Sequence, residues 1–327
     1  MNDSSDDSLE NSQLADELPS VEEPTAGFLV QLFVVPAIIV LAVVLVYVLF
    51  GKIATGETDP EQFRAALKSS NPVRRWQAAH NLAQVLEADQ RLSRDQDLAI
   101  DLVELLEAEL DQGPGSSEDE RVHRAYLVTA LGKFQTPLVV PVLRRAIKPP
   151  HAVQVRIRAI LALMDLAERV NLFDDPMMVT DLIEASEDGE AIVRKVSAYA
   201  MGNLANPGFD SRLQEMLGDG DVDVRYNAAL ALARNGHFAS VSVLVAMLDP
   251  GNPEAVQSES PEQREHKSSE VLRNALLAAE GLATKNQIAD LSTLRGSVEA
   301  LTEHPSPAIY LRARDVLRQL NERDQKQ

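Results

Sequence analysis

The sequence predicts an all-α protein: a right-handed α-solenoid of about six or seven helical hairpins, preceded by one transmembrane helix. Three observations lead to this prediction. Beyond residue 60, apolar residues recur at helical spacing and do not alternate as in strands. Pairs of short helices then repeat along the chain. Near the N-terminus, the 23 residues from Phe28 to Phe50 carry no charge.

The clearest helical hairpin lies within residues 219–249. Asp221 can cap its first helix, because the carboxylate can accept a hydrogen bond from a free N–H of the first turn. Apolar residues at a spacing of four, from Val224 to Leu232, give that helix one apolar face. Gly236 ends it, and a second helix follows directly. A hairpin of this size cannot bury its apolar faces alone, so it needs neighbours of the same kind.

An arginine marks the same place in each copy of this hairpin. In the clearest copy, Arg225 precedes Ala228, Ala229 and Leu232 at positions +3, +4 and +7. Successive anchors are 49, 32, 38, 31, 48 and 39 residues apart. The longest spacings contain turn-rich insertions, at 111–120 and 249–267. The seven anchors, interpreted as structural repeat positions, are Arg75, Arg124, Arg156, Arg194, Arg225, Arg273 and Arg312.

These anchors carry a family resemblance. Residues 71–75 (NPVRR) and 221–225 (DVDVR), each followed by a pair of alanines, resemble the P-x-V-R-x-x-A-A core of HEAT-like repeats. The short spacing from Arg194 to Arg225 is similar to that of the bacterial lyase-type HEAT repeats. The resemblance covers about residues 60–327 and implies a fold more than a function.

The resemblance also implies an ion-pair ladder. In this family an acid before the helix commonly pairs with the arginine of its own or the next repeat. Glu118, Asp188 and Asp219 each stand six residues before an anchor arginine. We therefore expect a partial ladder along the loops, with the arginines serving the structure and not a partner.

The domain organisation follows from composition. Residues 1–27 hold eight acids and no Lys or Arg, which predicts a disordered acidic tail. Residues 28–50 are long enough for a transmembrane helix. Residues 51–60 form a linker, and residues 61–327 the HEAT-like domain. Because lysines and arginines near the span lie on its C-terminal side, beginning with Lys52, we expect a single-pass membrane protein with a cytoplasmic solenoid and a translocated tail.

The sequence offers no chemistry. It has no cysteine, and its six histidines form no metal-ligand spacing. No phosphate-binding loop or nucleophile elbow occurs. We therefore predict no catalytic, cofactor-binding or metal-binding residues, no cofactor, and surface or capping roles for the histidines, which are His80, His123, His151, His237, His266 and His304.

The predicted function is that of a membrane-anchored scaffold, which binds a protein partner of unknown identity along the solenoid. Residues 28–50 would anchor the chain in the bilayer. We predict that the protein is not an enzyme. One alternative is an enzyme of the phycobilin lyase kind, which the lyase-type repeats suggest. Another is nucleic-acid binding, which Arg74-Arg75, Arg121-Arg124 and Arg144-Arg145-Lys148 could support locally. The formal net charge of −19 disfavours nucleic acid, whose binding depends on neutralising phosphates.

Overall fold

The chain divides into two compact units, Met1–Thr58 and Asp59–Gln327. The predicted acidic tail and the predicted linker lie almost wholly outside the residues that the structure describes, and both stay predictions. The computed structural model describes residues 27, 34–46, 60–172 and 175–325.

The predicted membrane span needs correction. Within it the structure describes residues 34–46, which are helical. No helix in the described residues is both long and apolar enough for that crossing. The rest of the span Phe28–Phe50 lies outside those residues. This finding overturns the predicted single-pass localisation and the assignment of the solenoid and tail to opposite sides. An uncharged apolar run indicates composition only, while a span also requires a continuous helix of full length.

The second unit, over its described residues, is built of helices joined by turns, without strands. The α-helices of this unit are α1 (Pro60–Leu67), α2 (Pro72–Ala88), α3 (Gln96–Leu110), α4 (Glu118–Leu131), α5 (Val140–Ala146), α6 (Val153–Val170), α7 (Pro176–Ala185), α8 (Ala191–Leu204), α9 (Asp210–Met216), α10 (Val222–Arg234), α11 (Val241–Met247), α12 (Pro261–Lys285), α13 (Ser292–Ala300) and α14 (Pro307–Asp324). Short 3₁₀ turns lead into α3, α5, α9 and α11.

The helices form two rows. The even-numbered helices, called here the first row, pack one on the next from α2 to α14. Each of them carries one of the seven predicted anchor arginines. The odd-numbered helices form the second row, and each packs on the even-numbered helix that follows it. This is an all-α repeat solenoid, as predicted; its right-handed sense stays a prediction.

Local sequence explains where the first-row helices begin. Asn71 caps α2, because its side chain accepts hydrogen bonds from the backbone N–H groups of Val73 and Arg74. Ser117 and Glu120 form a reciprocal capping box at the start of α4. Asp221 caps α10 as predicted, accepting from the N–H groups of Asp223 and Val224.

Two glycines set the spacing within the first row. A Cβ at Gly132 of α4 would lie 2.6 Å from the Cβ of Ala162 on α6, and one at Gly202 of α8 would lie 2.5 Å from the Cβ of Ala231 on α10. Real Cβ atoms do not approach so closely, so only glycine permits these backbone contacts. First-row helices therefore pack more closely on one another than second-row helices do.

Candidate functional site

The anchor arginines lie at the loop edge of the array, where first-row helices begin. Each of the first five donates a hydrogen bond to a backbone carbonyl of the loop before its own helix. These carbonyls would otherwise lack a partner, so the arginines replace backbone pairing in the turns. The pairs are Arg75 with Ser69, Arg124 with Gly113, Arg156 with His151, Arg194 with Asp188, and Arg225 with Asp219.

Two aspartates join consecutive arginines. The carboxylate of Asp188 binds Arg156 at 2.9 Å, while its carbonyl accepts from Arg194. Asp219 repeats the arrangement one hairpin later: its carboxylate accepts two hydrogen bonds of 2.8 Å from Arg194, which lower the pKa of Asp219, and its carbonyl accepts from Arg225. A ladder is therefore present at these two aspartates, but each carboxylate binds the arginine of the preceding repeat and not, as predicted, that of its own or the next repeat.

At the two ends of the ladder, the acids and the anchor arginines have other partners. Glu118 binds Arg121 at 2.8 Å and not the anchor arginine expected for it, because it lies in the first turn of α4 on the same side as Arg121. Arg225 binds Glu254, at 2.6 Å, from the insertion after α11. Arg273 is exposed, and Arg312 pairs with Glu280 on the neighbouring first-row helix.

Two histidines are buried at the loop edge instead of lying at the surface. His123 is 1% exposed, and its Nε2 lies 3.1 Å from a carboxylate oxygen of Glu109, at an angle that makes no hydrogen bond. His151 is also buried. Burial, together with Arg145, Arg124 and Arg156, lowers the pKa of His151. Their sequence positions gave no sign of this burial, which depends on the packing of the loops.

The strongest candidate for a binding site is a groove of about 410 Å³ across three first-row helices, α8, α10 and α12. The groove lies on the opposite side of α10 from the apolar residues that fill the core. Its lining combines amides, charged groups and apolar side chains. The residues used below are Lys195 and Tyr199 of α8, Asp223, Asn227, Leu230 and Arg234 of α10, and Lys267, Glu270, Asn274 and Leu277 of α12.

Helical periodicity explains this lining. On α10 the groove residues stand at positions i, i+4, i+7 and i+11 from Asp223, which places them in one stripe. The core residues Val224, Ala228 and Leu232 are fully buried behind it. On α12 the stripe runs from Lys267 at i, i+3, i+7 and i+10. Both stripes line the same groove.

One end of the groove is closed by ion pairs. The carboxylate of Asp223 lies 3.0 Å from the ammonium of Lys195 and 3.1 Å from that of Lys267. Burial alone would raise the pKa of Asp223, but the hydrogen bonds from the two lysines outweigh it and hold this pKa below its usual value. Asn252 donates a hydrogen bond to the hydroxyl of Tyr226 in the groove floor. This end is therefore ordered by contacts from three elements.

The middle of the groove leaves large apolar side chains uncovered. Tyr199 is 43% exposed and Leu277 is 49% exposed. The amides of Asn227 and Asn274 line the same groove. Asn227 uses one N–H on the carbonyl of Asp223, which leaves the rest of its amide for other partners. Apolar side chains beside amides are suited to an extended peptide, whose backbone needs donors and acceptors.

The same face is filled in the first hairpins. There the ring of Tyr126 stacks on Trp76 at 6.0 Å and contacts His80 edge-on at 4.9 Å. Lys133 of the same region lies between two carboxylates, Glu87 at 3.6 Å and Asp165 at 3.5 Å. Those side chains contact one another, whereas Tyr199 and Leu277 in the groove stay exposed.

Sequence reasoning did not find the groove, and the insertion explains why. Residues 249–267 were expected to be turn-rich, but α12 begins at Pro261, and residues 253–256 form a 3₁₀ turn. The 25-residue α12 is thus longer than its neighbours, and its added N-terminal turns supply Lys267. The one available signal was the tendency of solenoid insertions to lie on a single face.

Metal binding receives no support in the described part of the chain, where no group of three or more His, Asp or Glu side chains is placed to hold an ion. Cofactor contacts cannot be read from the geometry either. The predicted absence of a cofactor therefore stays a prediction.

Comparison with known families agrees with this architecture. A family model for HEAT repeats matches residues 179–260, which span α8 to α11 and most of the groove-forming region. Residues 179–260 are therefore similar to HEAT repeats, and they lie within the all-α two-row array. No curated protein matches the chain.

Solved structures with a similar arrangement are distant. An archaeal HEAT-like repeats protein from Thermococcus onnurineus NA1 has a TM-score of 0.49 and 16% identity, over 81% of this chain and 98% of the other. The complex of CpcE and CpcF of phycocyanin lyase from Nostoc sp. PCC7120 gives 0.45 and 21%, over 81% and 95%. A designed armadillo repeat protein gives 0.39 and 17%, over 80% and 100%. No functional argument rests on these likenesses.

Proposed function

We propose that this chain is a binding scaffold whose groove across α8, α10 and α12 receives an extended segment of a protein partner. The observation that carries the proposal is the uncovered pair Tyr199 and Leu277 beside the amides of Asn227 and Asn274. Extended peptides bind through backbone hydrogen bonds and through side chains inserted in apolar depressions. Membrane attachment forms no part of this proposal.

The alternative of nucleic-acid binding loses its main support. Two of the three basic stretches that suggested it, those at residues 121–124 and 144–148, are paired with carboxylates, whereas Arg74 and Arg75 form no ion pair in the described residues. Arg144 and Lys148 both bind Asp181, Arg145 binds Asp111, and Arg121 binds Glu118. Because these cations are already neutralised, they supply little of the phosphate attraction on which such binding depends. A lyase activity is favoured by no particular residue, and the absence of enzymatic activity stays a prediction.

A displayed library of random dodecapeptides, selected on the full-length chain, tests the proposal. We expect the selected peptides to lose about tenfold or more in affinity for the double variant Tyr199→Ala/Leu277→Ala, because large apolar side chains dominate such interfaces. The matched control is Ile100→Ala/Met177→Ala, which removes two exposed apolar side chains of the second row. Control and wild type should bind equally.

The location of the bound peptide can be measured directly. The chain has no cysteine, so Leu230→Cys gives one labelling site in the groove and Ile100→Cys gives one outside it. A photo-crosslinker at residue 230 should capture the selected peptides, and one at residue 100 should not. Peptides that crosslink equally at both sites, or that keep full affinity for the groove variant, would end the proposal.

A further inference from the structure

The charge of the groove indicates which kind of segment it selects. Five charged side chains line it: Lys195, Asp223, Arg234, Lys267 and Glu270. The two lysines and the two acids lie at one end and cancel formally. Arg234, in the last turn of α10, lies at the other end and gives the groove a formal charge of +1, on a chain whose net charge is −19.

Arg234 lacks a partner within the described residues. No hydrogen bond or ion pair involves its guanidinium there, although Arg225 at the start of the same helix makes three hydrogen bonds. Its Nη1 lies 3.7 Å from the position that a Cβ of Gly202 would take. The guanidinium therefore lies in the groove beside α8 and does not extend away from the array.

The repeat provides a comparison for this position. Counting nine residues from the four middle anchor arginines gives Lys133 just after α4, Asp165 on α6, Asn203 on α8 and Arg234 on α10. Lys133 is neutralised by Asp165 and by Glu87. On α8, the helix before Arg234, the residue at this position is Asn203, which carries no charge and donates a hydrogen bond to the carbonyl of Tyr199. At this repeat position Lys133 forms an internal ion pair in the early hairpins, whereas Arg234 is an unpaired cation in the groove.

We infer that the groove selects an extended segment in which an acidic side chain binds Arg234 and an adjacent apolar side chain packs between Tyr199 and Leu277. A planar guanidinium binds a carboxylate through two parallel hydrogen bonds, which favours this partner over a single hydroxyl or amide. A C-terminal carboxylate fits less well. Such groups are commonly held by backbone N–H groups, whereas this end of α10 presents carbonyls. The inference rests on the proposed function and adds which kind of peptide segment the groove prefers.

Three fluorescent octapeptides with the same two central leucines test the inference on the full-length chain. The first contains one glutamate beside the leucines and an amidated C-terminus. The second has glutamine there and is amidated. The third has glutamine and a free C-terminus. We expect the first to bind about fivefold more tightly than the second, the magnitude of a partly exposed bidentate pair. The preference should decrease as salt is raised.

Arg234→Gln should abolish the preference for glutamate and leave binding of the glutamine peptide unchanged. Arg158→Gln is the matched control, since Arg158 is an exposed arginine of the first row on α6, outside the groove. It should keep the preference. If Arg234→Gln retains the preference, or if the free C-terminus binds as tightly as the glutamate, the inference is wrong.

The two proposals fail in different ways. Equal binding of all three peptides, with loss in Tyr199→Ala/Leu277→Ala, would overturn the selection of carboxylates and leave the peptide groove standing. The same holds if none of the three binds while library-selected peptides crosslink in the groove. If neither the octapeptides nor any selected peptide depends on the groove, the proposed function itself fails.

Discussion

The two ends of α10 carry the same residue type in opposite states. At the loop edge, Arg225 donates to the carbonyls of Asp219 and Gly220 and to the carboxylate of Glu254. In the groove, Arg234 has no such partner in the described residues. Arg225 bonds to the loop and insertion that join neighbouring hairpins, whereas the guanidinium of Arg234 is free to bind a group outside the array. We conclude that stability and recognition are separated along one helix.

The comparison extends to the other first-row helices. Side-chain exposure of the ladder pairs rises along the chain, from 9% and 5% for Arg156 and Asp188 to 21% and 58% for Arg225 and Glu254. A buried pair contributes through the penalty of leaving one charge unpaired, while an exposed pair is weakened by solvent. Substitutions at the loop edge should therefore lower the free energy of unfolding most where the ion pairs are most buried. Substitutions in the groove should barely change the free energy of unfolding.

The largest effect should come from Asp188→Asn. This change leaves Arg156 buried without a counter-charge, and we expect the free energy of unfolding to fall by about 3 kcal/mol or more. Urea denaturation followed by circular dichroism measures it. Glu190→Gln, an exposed change two residues away, should alter stability by less than about 0.5 kcal/mol. An equal loss in both variants would remove the distinction between buried and exposed charge at this edge.

The two close-packed glycines should separate stability from binding. Gly132→Ala and Gly202→Ala each force a methyl group into contact with an alanine of the next first-row helix, and each should cost about 1–3 kcal/mol. Only Gly202→Ala moves a wall of the groove, so only it should change affinity for selected peptides. Thermal unfolding and fluorescence polarisation give the two readouts. A binding defect in Gly132→Ala would show that the groove is not local to α8, α10 and α12.

A pH dependence should appear at the loop edge. Because the pKa of His151 is lower in the folded chain than its ordinary value of 6.5, the unfolded chain binds more protons. Stability attributable to this group is therefore complete above about pH 6.5 and decreases as the pH falls below it. Urea midpoints between pH 7.5 and pH 5.5 should show the decrease, with a smaller slope in His151→Gln. A steeper slope in that variant would contradict the assignment.

The smallest effect should be that of Arg234→Gln on stability. An exposed arginine without a partner can be replaced within about 0.5 kcal/mol. Arg225→Gln, on the same helix, should cost about 1 kcal/mol, since it loses a partly exposed ion pair and bonds to loop carbonyls. Urea unfolding of the two variants side by side checks the order. If Arg234→Gln proved the more destabilising change, its guanidinium would have to serve the fold.

Much of the fold could be predicted from the sequence, because its signals are local. The cap at Asp221, the apolar spacing behind it and the recurring arginine all operate within one or two helical turns, and the two-row array follows from their repetition. The places of Asp188 and Asp219 in a ladder were predictable for the same reason, but their pairing with the arginine of the preceding repeat was not. The expectation for Glu118 failed because Arg121, one turn away, competes for it.

The groove could not be predicted in this way. Its closed end depends on Lys267 reaching Asp223 from a helix that begins 38 residues after Asp223 in the chain. The extent of α12 is hidden by the prolines and serines that precede it. The membrane interpretation rested on the composition of residues 28–50, and no helix in the described residues is both long and apolar enough to cross a bilayer. The burial of His123 and His151 likewise depends on how separate loops meet.

The glycine contacts also have a mechanical consequence. Where Gly132 meets Ala162 and Gly202 meets Ala231, first-row backbones are already at their closest approach and cannot be compressed further. Second-row helices are spaced more widely, so bending should occur by spreading or closing that side while the glycine contacts act as pivots. The groove lies on the incompressible side. A partner that bends the array would change the separation of the second-row helices far more than the width of the groove.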